Sequence, residues 1–531
     1  MRRIGMTLAL AVLLAAPLGA SAQPGALVVA TEKGAVRGKP SGGARAFLGI
    51  PYAAPPVAAL RWRPPQPAAP WRGTRAATSF GASCMQPWPA TTFGPYTAEF
   101  VDTPRPSEDC LTLNVWAPPR AAKLPVIVWI HGGAFLGGSG AVPIYDGAAL
   151  AAKGAVVVTI NYRVGPFGFL AHPALSAQDP HHASGNYGLL DQIAALRWVR
   201  RNIAAFGGDP ARVTIAGQSA GAASVDDLLV SPLAAGLFAR AIAESGSGMG
   251  VVAPPLAAAE RDGSRFAAYL GAHDLAGLRA LPAERIQAAV AMPLGPTPPG
   301  MPQLSFVPVL DGRLLPVDGG LAQSRPAGAV PLLTGFAADE PLAPPPATPA
   351  AFEVDVCARY GAHAAALLAL YPHANLAEAQ DSARLIARDR YLASLVLWTG
   401  ARHARHAARV WRYLFAQPVP VAGGPSFGAF HTAEVPYLFG NLDTRLRPYL
   451  AADRRVADVV QGYWLDFARG GDPDGRTAHA LGLPRWPAVR GGDRQVMVLS
   501  PRPAMRAAVS SPARFDALAA YAADGGTLTL F

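Results

Sequence analysis

Of 531 residues, 51% are hydrophobic and 15% charged, proportions that exclude a disordered chain and a small disulfide scaffold. The 55 Gly and 53 Pro follow no three-residue period, which excludes a collagen-like rod. The formal charge of +11 is carried by arginine, since Lys33, Lys39, Lys123 and Lys153 are the only lysines. These arginines are scattered, with short pairs such as Arg200-Arg201, so no nucleic-acid surface is expected.

The first 22 residues have the form of an export signal. Arg2 and Arg3 precede an apolar run over 8–16, and Ala20-Ser21-Ala22 supplies the small residues of a cleavage site after Ala22. The run is shorter than the ~20 residues of a membrane span and Pro17 interrupts it, so no stable membrane insertion is expected after cleavage. The mature chain, 23–531, is then expected in the periplasm or outside the cell. There Cys84 and Cys110 can keep a disulfide. The remaining Cys357 reads as a small buried hydrophobe.

Apolar, β-branched runs at VIVWI (126–130), VVVTI (156–160) and VTIA (213–216) read as buried parallel strands. Between the last two, residues 189–206 place Leu190, Ile193, Leu196, Trp198, Val199 and Ile203 at helical spacing. A second helical stretch, 222–229, follows the third strand. Further strands are expected at 330–334, 410–415 and 496–499, with helices dominating 350–408. The Pro-rich segment 294–316 reads as an irregular wrap over the core. Strand and helix in alternation imply an α/β fold, a mostly parallel sheet covered on both faces, in one domain with long surface insertions.

Two motifs carry chemistry. Gly217-Gln218-Ser219-Ala220-Gly221 lies between a strand and a helix, the setting of a nucleophile elbow that exposes Ser219 above the sheet. His131-Gly132-Gly133-Ala134-Phe135 follows the 126–130 strand. It fits an oxyanion loop, with the N–H groups of Gly132, Gly133 and Ala220 as donors. His131 reads as structural, and His181, His182, His403 and His406 as exposed.

With these motifs in place, the chain resembles the type-B carboxylesterases, a family that includes cholinesterases and bacterial para-nitrobenzyl esterases. The resemblance is carried by FLGIPYAAPP from Phe47, SEDCLTLNVWAP from Ser107, NYRVGPFGFL from Asn161 and the long block from Gly185 to GQSAGAASV. SPLAAGLFARAIAESGS from Ser231, FVPVLDGRLLP from Phe306, GAFHTAEVPYLFG from Gly428 and WLDFARGGDP from Trp464 continue it. It implies an α/β-hydrolase fold, a small-molecule ester substrate, no cofactor and no metal. It also implies Glu340 as the acid and His431 as the base, giving the chain order nucleophile, acid, base.

Around that triad, Glu434 and Ser245 are either polar supports or ordinary structural hydrogen-bonding groups. The family's disulfide loop walls the active-site gorge. Here Trp88, Phe93, Tyr96 and Phe100 either line such a wall or pack beneath the loop. Three departures stand out: Gln218 replaces a frequent Glu, Pro341 replaces the Gly after the acid, and the further cysteines of animal relatives are missing. Two other readings remain, a specialised hydrolase of a polyester, carbamate, lactone or toxin ester, and a catalytically silent binding module.

Overall fold

The computed structural model describes residues 27–247, 252–290, 304–317, 330–340, 344–406, 408–422, 426–443 and 446–529. The export-signal segment, Pro341 and residues 294–303 of the Pro-rich stretch lie outside them. Among the described residues, eleven strands make one sheet. They are β1 (Lys39–Ser41), β2 (Ala44–Pro51), β3 (Thr112–Ala117), β4 (Leu124–Ile130), β5 (Val156–Ile160) and β6 (Gly208–Gln218). β7 (Arg240–Glu244), β8 (Leu332–Ala337), β9 (Val410–Phe415), β10 (Gln495–Leu499) and β11 (Ala504–Ala507) complete it.

The spatial order is β11-β10-β9-β8-β7-β6-β4-β5-β3-β2-β1. From β5 across to β10 every pairing is parallel, and antiparallel strands close both edges. The sheet is therefore mostly parallel, as the strand pattern implied, and the fold is the α/β-hydrolase type that the resemblance implied.

Alternation along the strands builds a core on each face. Val126, Val128 and Ile130 of β4 pack with Leu189, Ile193 and Leu196 of α1 (Tyr187–Asn202) and with Val225 and Leu228 of α2 (Ala220–Val230). Ile127 and Trp129 point the other way. They join a cluster with Tyr391 and Leu395 of α3 (Leu376–His406) and Val456, Val459 and Tyr463 of α4 (Ala451–Gly470). Strands buried on both faces read as continuous apolar runs, which is why 126–130 and 156–160 were legible.

Some expectations shift. The helix expected over 189–206 is α1 followed by a tighter turn, Ile203–Phe206. The strand expected at 330–334 is Leu332–Ala337. Residues 304–317 bury Phe306, Val309, Leu314 and Leu315 without forming a strand or helix, consistent with a wrap over the core.

Cys357 is exposed, which corrects its reading as a buried hydrophobe. In the helix Pro349–Tyr360 the buried stripe runs Phe352, Val356 and Tyr360, and Cys357 falls one position off it. His181 and His182 are exposed as expected, whereas His403 is half-buried, its Nδ1 3.2 Å from the Ala408 carbonyl.

Candidate active site

The carboxyl ends of four adjacent parallel strands converge on one place, where α/β sheets carry their sites. β4 runs into His131-Gly132-Gly133, β6 into Ser219, β7 into Ser245, and β8 toward Glu340.

Ser219 sits between β6 and α2 at φ 58° and ψ −124°, a backbone state that costs about 1–3 kcal/mol unless its surroundings enforce it. They do. Its N–H donates to the Glu244 carbonyl at 2.9 Å. The flanking glycines are sterically required: a Cβ on Gly221 would lie 2.0 Å from the Ile130 carbonyl oxygen, and one on Gly217 2.5 Å from that of Gly221. Of nine non-glycine residues at positive φ among the described residues, five (Ala134, Phe135, Ser219, Ser245 and Thr432) belong to this region, so strain is concentrated there.

The loop after β4 abuts the elbow. A Cβ on Gly132 would come within 2.6 Å of the Gln218 carbonyl oxygen and 3.1 Å of Ser219 Cβ. The N–H groups of Gly132, Gly133 and Ala220 have no acceptor among the described residues. His131 is buried and stacks on Tyr162 with ring centroids 4.3 Å apart, and its Nδ1 lies 2.9 Å from the Gly132 carbonyl. Burial pushes its pKa down to about 4, so it stays neutral and structural.

A short parallel bridge, Asp339 to Phe430, zips the acid-bearing and histidine-bearing segments together. Asp339 Oδ2 accepts the Ala429 N–H at 2.9 Å while Oδ1 pairs with Arg388 at 3.0 Å. The next residue on each side, Glu340 and His431, then meet through Glu340 Oε2 and His431 Nδ1. Glu340 Oε1 accepts the Ser245 hydroxyl and, at 2.7 Å, the Ala337 N–H. With Nδ1–H directed at a carboxylate, Nε2 carries the lone pair. The Gln218 side-chain amide donates to it at 3.1 Å. No hydrogen bond joins Ser219 to His431.

Burial disfavours the imidazolium of His431, but the Glu340 carboxylate overrides it and the net shift is upward. Glu434 is buried and accepts the Tyr413 hydroxyl at 3.2 Å.

The disulfide Cys84–Cys110 is formed, with Cα atoms 5.0 Å apart. The aromatics of its loop divide between the two readings. Phe100 is buried against Phe430, whereas Trp88 and Phe93 are exposed. Tyr96 is half-buried, packs edge-on against Phe430 and donates its hydroxyl to the His431 carbonyl at 2.9 Å. That contact, and the clamp by Arg447 on Glu99 at 2.7 Å, had no signal in the sequence, because residues separated by some 340 positions form them.

The carboxylesterase family model matches residues 25–353 and 362–514. The chain belongs to the carboxylesterase family. This carboxylesterase is 38% identical over 482 residues to the fumonisin B1 esterase of Sphingopyxis macrogoltabida, covering 87% of this chain and 85% of that protein. It is 37% identical to the para-nitrobenzyl esterase of Bacillus subtilis (strain 168), covering 89% and 94% of the two chains. The phenmedipham hydrolase of Pseudarthrobacter oxydans is 34% identical, with coverage of 88% and 94%. A solved PNB esterase structure shares the fold with a TM-score of 0.74 at 34% identity, over 92% of this chain and 99% of that one. The protein is a carboxylic ester hydrolase. Among the described residues, no helix of this carboxylesterase is long and apolar enough to cross a membrane, and no cluster of His, Cys, Asp and Glu could hold a metal ion.

Proposed function

We propose that this carboxylesterase is exported, with its signal cleaved after Ala22, and hydrolyses small carboxylic esters through an acyl-enzyme on Ser219. His431 is the general base and Glu340 its orienting acid. The reading rests above all on the meeting of Glu340 with His431 Nδ1, which leaves the Nε2 lone pair directed toward the elbow residues. The disulfide accords with an oxidising compartment.

Attack requires Nε2 to exchange the Gln218 amide for the neighbouring Ser219 hydroxyl. Such contacts commonly tighten only when substrate is bound. His431 then takes the Ser219 proton as Oγ attacks the ester carbonyl, and Glu340 stabilises the imidazolium. The N–H groups of Gly132, Gly133 and Ala220 receive the oxyanion, where loss of one donor typically costs about 3–4 kcal/mol of barrier. His431 returns the proton to the leaving alcohol, and water repeats the sequence on the acyl-enzyme.

A fluorophosphonate probe should label Ser219 in the wild type and leave Ser219→Ala unmarked, with p-nitrophenyl ester hydrolysis lost in parallel. Labelling at Ser245 or Ser247 instead would overturn the assignment. Relatives named for fumonisin B1 and phenmedipham favour a second, narrower reading, a hydrolase specialised for a toxin ester or a carbamate. A panel of esters and carbamates decides it, since a specialised enzyme shows one kcat/KM far above the rest.

A further inference from the structure

Beneath the proposed triad lies a pair of acids that this mechanism leaves unused. Glu244 ends β7, has no exposed surface, and stands beside Gln218 in the parallel ladder. Its backbone carbonyl holds the Ser219 N–H, so its position is tied directly to the nucleophile. Its carboxyl Oε1 accepts the indole N–H of Trp464 on α4 at 2.8 Å, and Oε2 has no hydrogen-bond partner. Glu434, three residues beyond His431, is 1% exposed. Its Oε1 takes the Tyr413 hydroxyl and its Oε2 is likewise without a partner.

The donors to the two carboxyls pack together, Tyr413 on Trp464 with ring centroids 5.2 Å apart, and the Glu434 charge acts on Glu244. Glu434 is faced in addition by Glu340, His431, Tyr413 and Tyr96. Glu244 is faced by Trp464, Tyr145 and Tyr413. Two buried carboxylates, each with one oxygen lacking a hydrogen-bond partner and served only by neutral donors, cannot both be ionised without a large desolvation cost. His431, when protonated, acts on Glu434 and favours its ionised form.

We propose that Glu244 and Glu434 hold one proton between them at mildly alkaline pH. Glu244 is the neutral acid and Glu434 the anion, and the pair acts as positioning residues for His431. The inference rests on the Ser219–His431–Glu340 reading. Burial, then the charge of Glu434, pushes Glu244 well above the carboxylate range, while burial and the Glu340 charge bring Glu434 to about 7. His431 thus works beside a second anion besides Glu340, which favours the imidazolium formed when Ser219 gives up its proton.

Two readouts test this. Infrared spectra of the wild type at mildly alkaline pH should show the C=O stretch of a protonated, buried carboxyl, and Glu244→Gln should lack it. In pH profiles of kcat/KM on a p-nitrophenyl ester, Glu434→Gln should move the acid limb to lower pH by roughly half a unit or more, since His431 loses an anion. Glu244→Gln, with an amide in place of the neutral acid, should keep the limb where the wild type has it.

A wild-type spectrum without the band, or a Glu434→Gln profile that overlays the wild type, overturns the proposal. A purely structural role would change stability and leave the limbs in place. Should a variant fail to fold, the wild-type band decides alone. Failure of the triad reading is separable, because it would show as a fluorophosphonate adduct at a residue other than Ser219.

Discussion

At His431 two influences on one proton oppose each other. Burial removes water from the imidazolium, the Glu340 carboxylate replaces that stabilisation, and the carboxylate prevails. In the proposed mechanism the base must be neutral to accept the Ser219 proton, so kcat/KM should rise with pH through an apparent pKa above the ordinary histidine value of 6.5. Glu340→Gln withdraws the dominant anion. Turnover should fall by about 10³–10⁴, and any residual acid limb should move downward. Asp339→Asn should cost far less, because the Asp339 carboxylate points at Arg388 and the Ala429 N–H rather than at the histidine. Steady-state kinetics of the two variants across pH separates the neighbouring carboxylates. Greater damage from Asp339→Asn would show that the acid is wrong by one residue.

At the scale of elements, the loop from Cys84 to Cys110 is fastened to the histidine segment at several points. Both cysteines are buried, Tyr96 holds the His431 carbonyl, and Arg447 lies over the Phe100 ring at 4.9 Å while pairing with Glu99. Closing a loop of 26 residues removes unfolded-state entropy worth about 3–4 kcal/mol. The double variant Cys84→Ala/Cys110→Ala should therefore lose roughly that much stability in denaturant titration. Its KM should rise more than its kcat falls, since the loop contacts the histidine's backbone and not its ring. An unchanged denaturation midpoint would contradict this.

The same scale explains what the sequence made legible. Strands buried on both faces announce themselves as VIVWI and VVVTI, and the elbow and oxyanion loop are local in sequence. β7 reads as RAIAE, with two alanines among five residues and an ionisable residue at each end, and just beyond it the chain runs close to α2: a Cβ on Gly246 would meet Ala222 Cβ at 2.2 Å. The edge strands β1 and β11, three and four residues long, are too short to carry a pattern. Glu244, Tyr96 and Arg447 acquire their roles only through contacts between distant segments. Cys357 was misread because residue type alone does not place a side chain on a helix face.

For the whole molecule, two buried groups near the site set opposing demands on pH. His131 has its pKa lowered to about 4 by burial, below the 6.5 of an unfolded chain. Its contribution to stability is fully present above 6.5 and is lost as pH falls toward 4. Glu434 has its pKa raised to about 7, first by burial and then by the Glu340 charge, above the ordinary 4.5. Its contribution is fully present below 4.5 and is lost as pH rises through 7. Each effect is on the order of a few kcal/mol, and between pH 4.5 and 6.5 they run in opposite directions. The wild type should therefore change little in stability across that window on account of these two groups. Glu434→Gln removes the limb that falls with rising pH and leaves His131 unopposed. Its Tm should fall more steeply than the wild type's as pH is lowered from 6.5 to 4.5, whatever its absolute value at neutral pH. Thermal melts at half-unit intervals through the window measure that slope directly. Parallel Tm curves for the two proteins would mean that Glu434 is not a proton-binding group in the folded state.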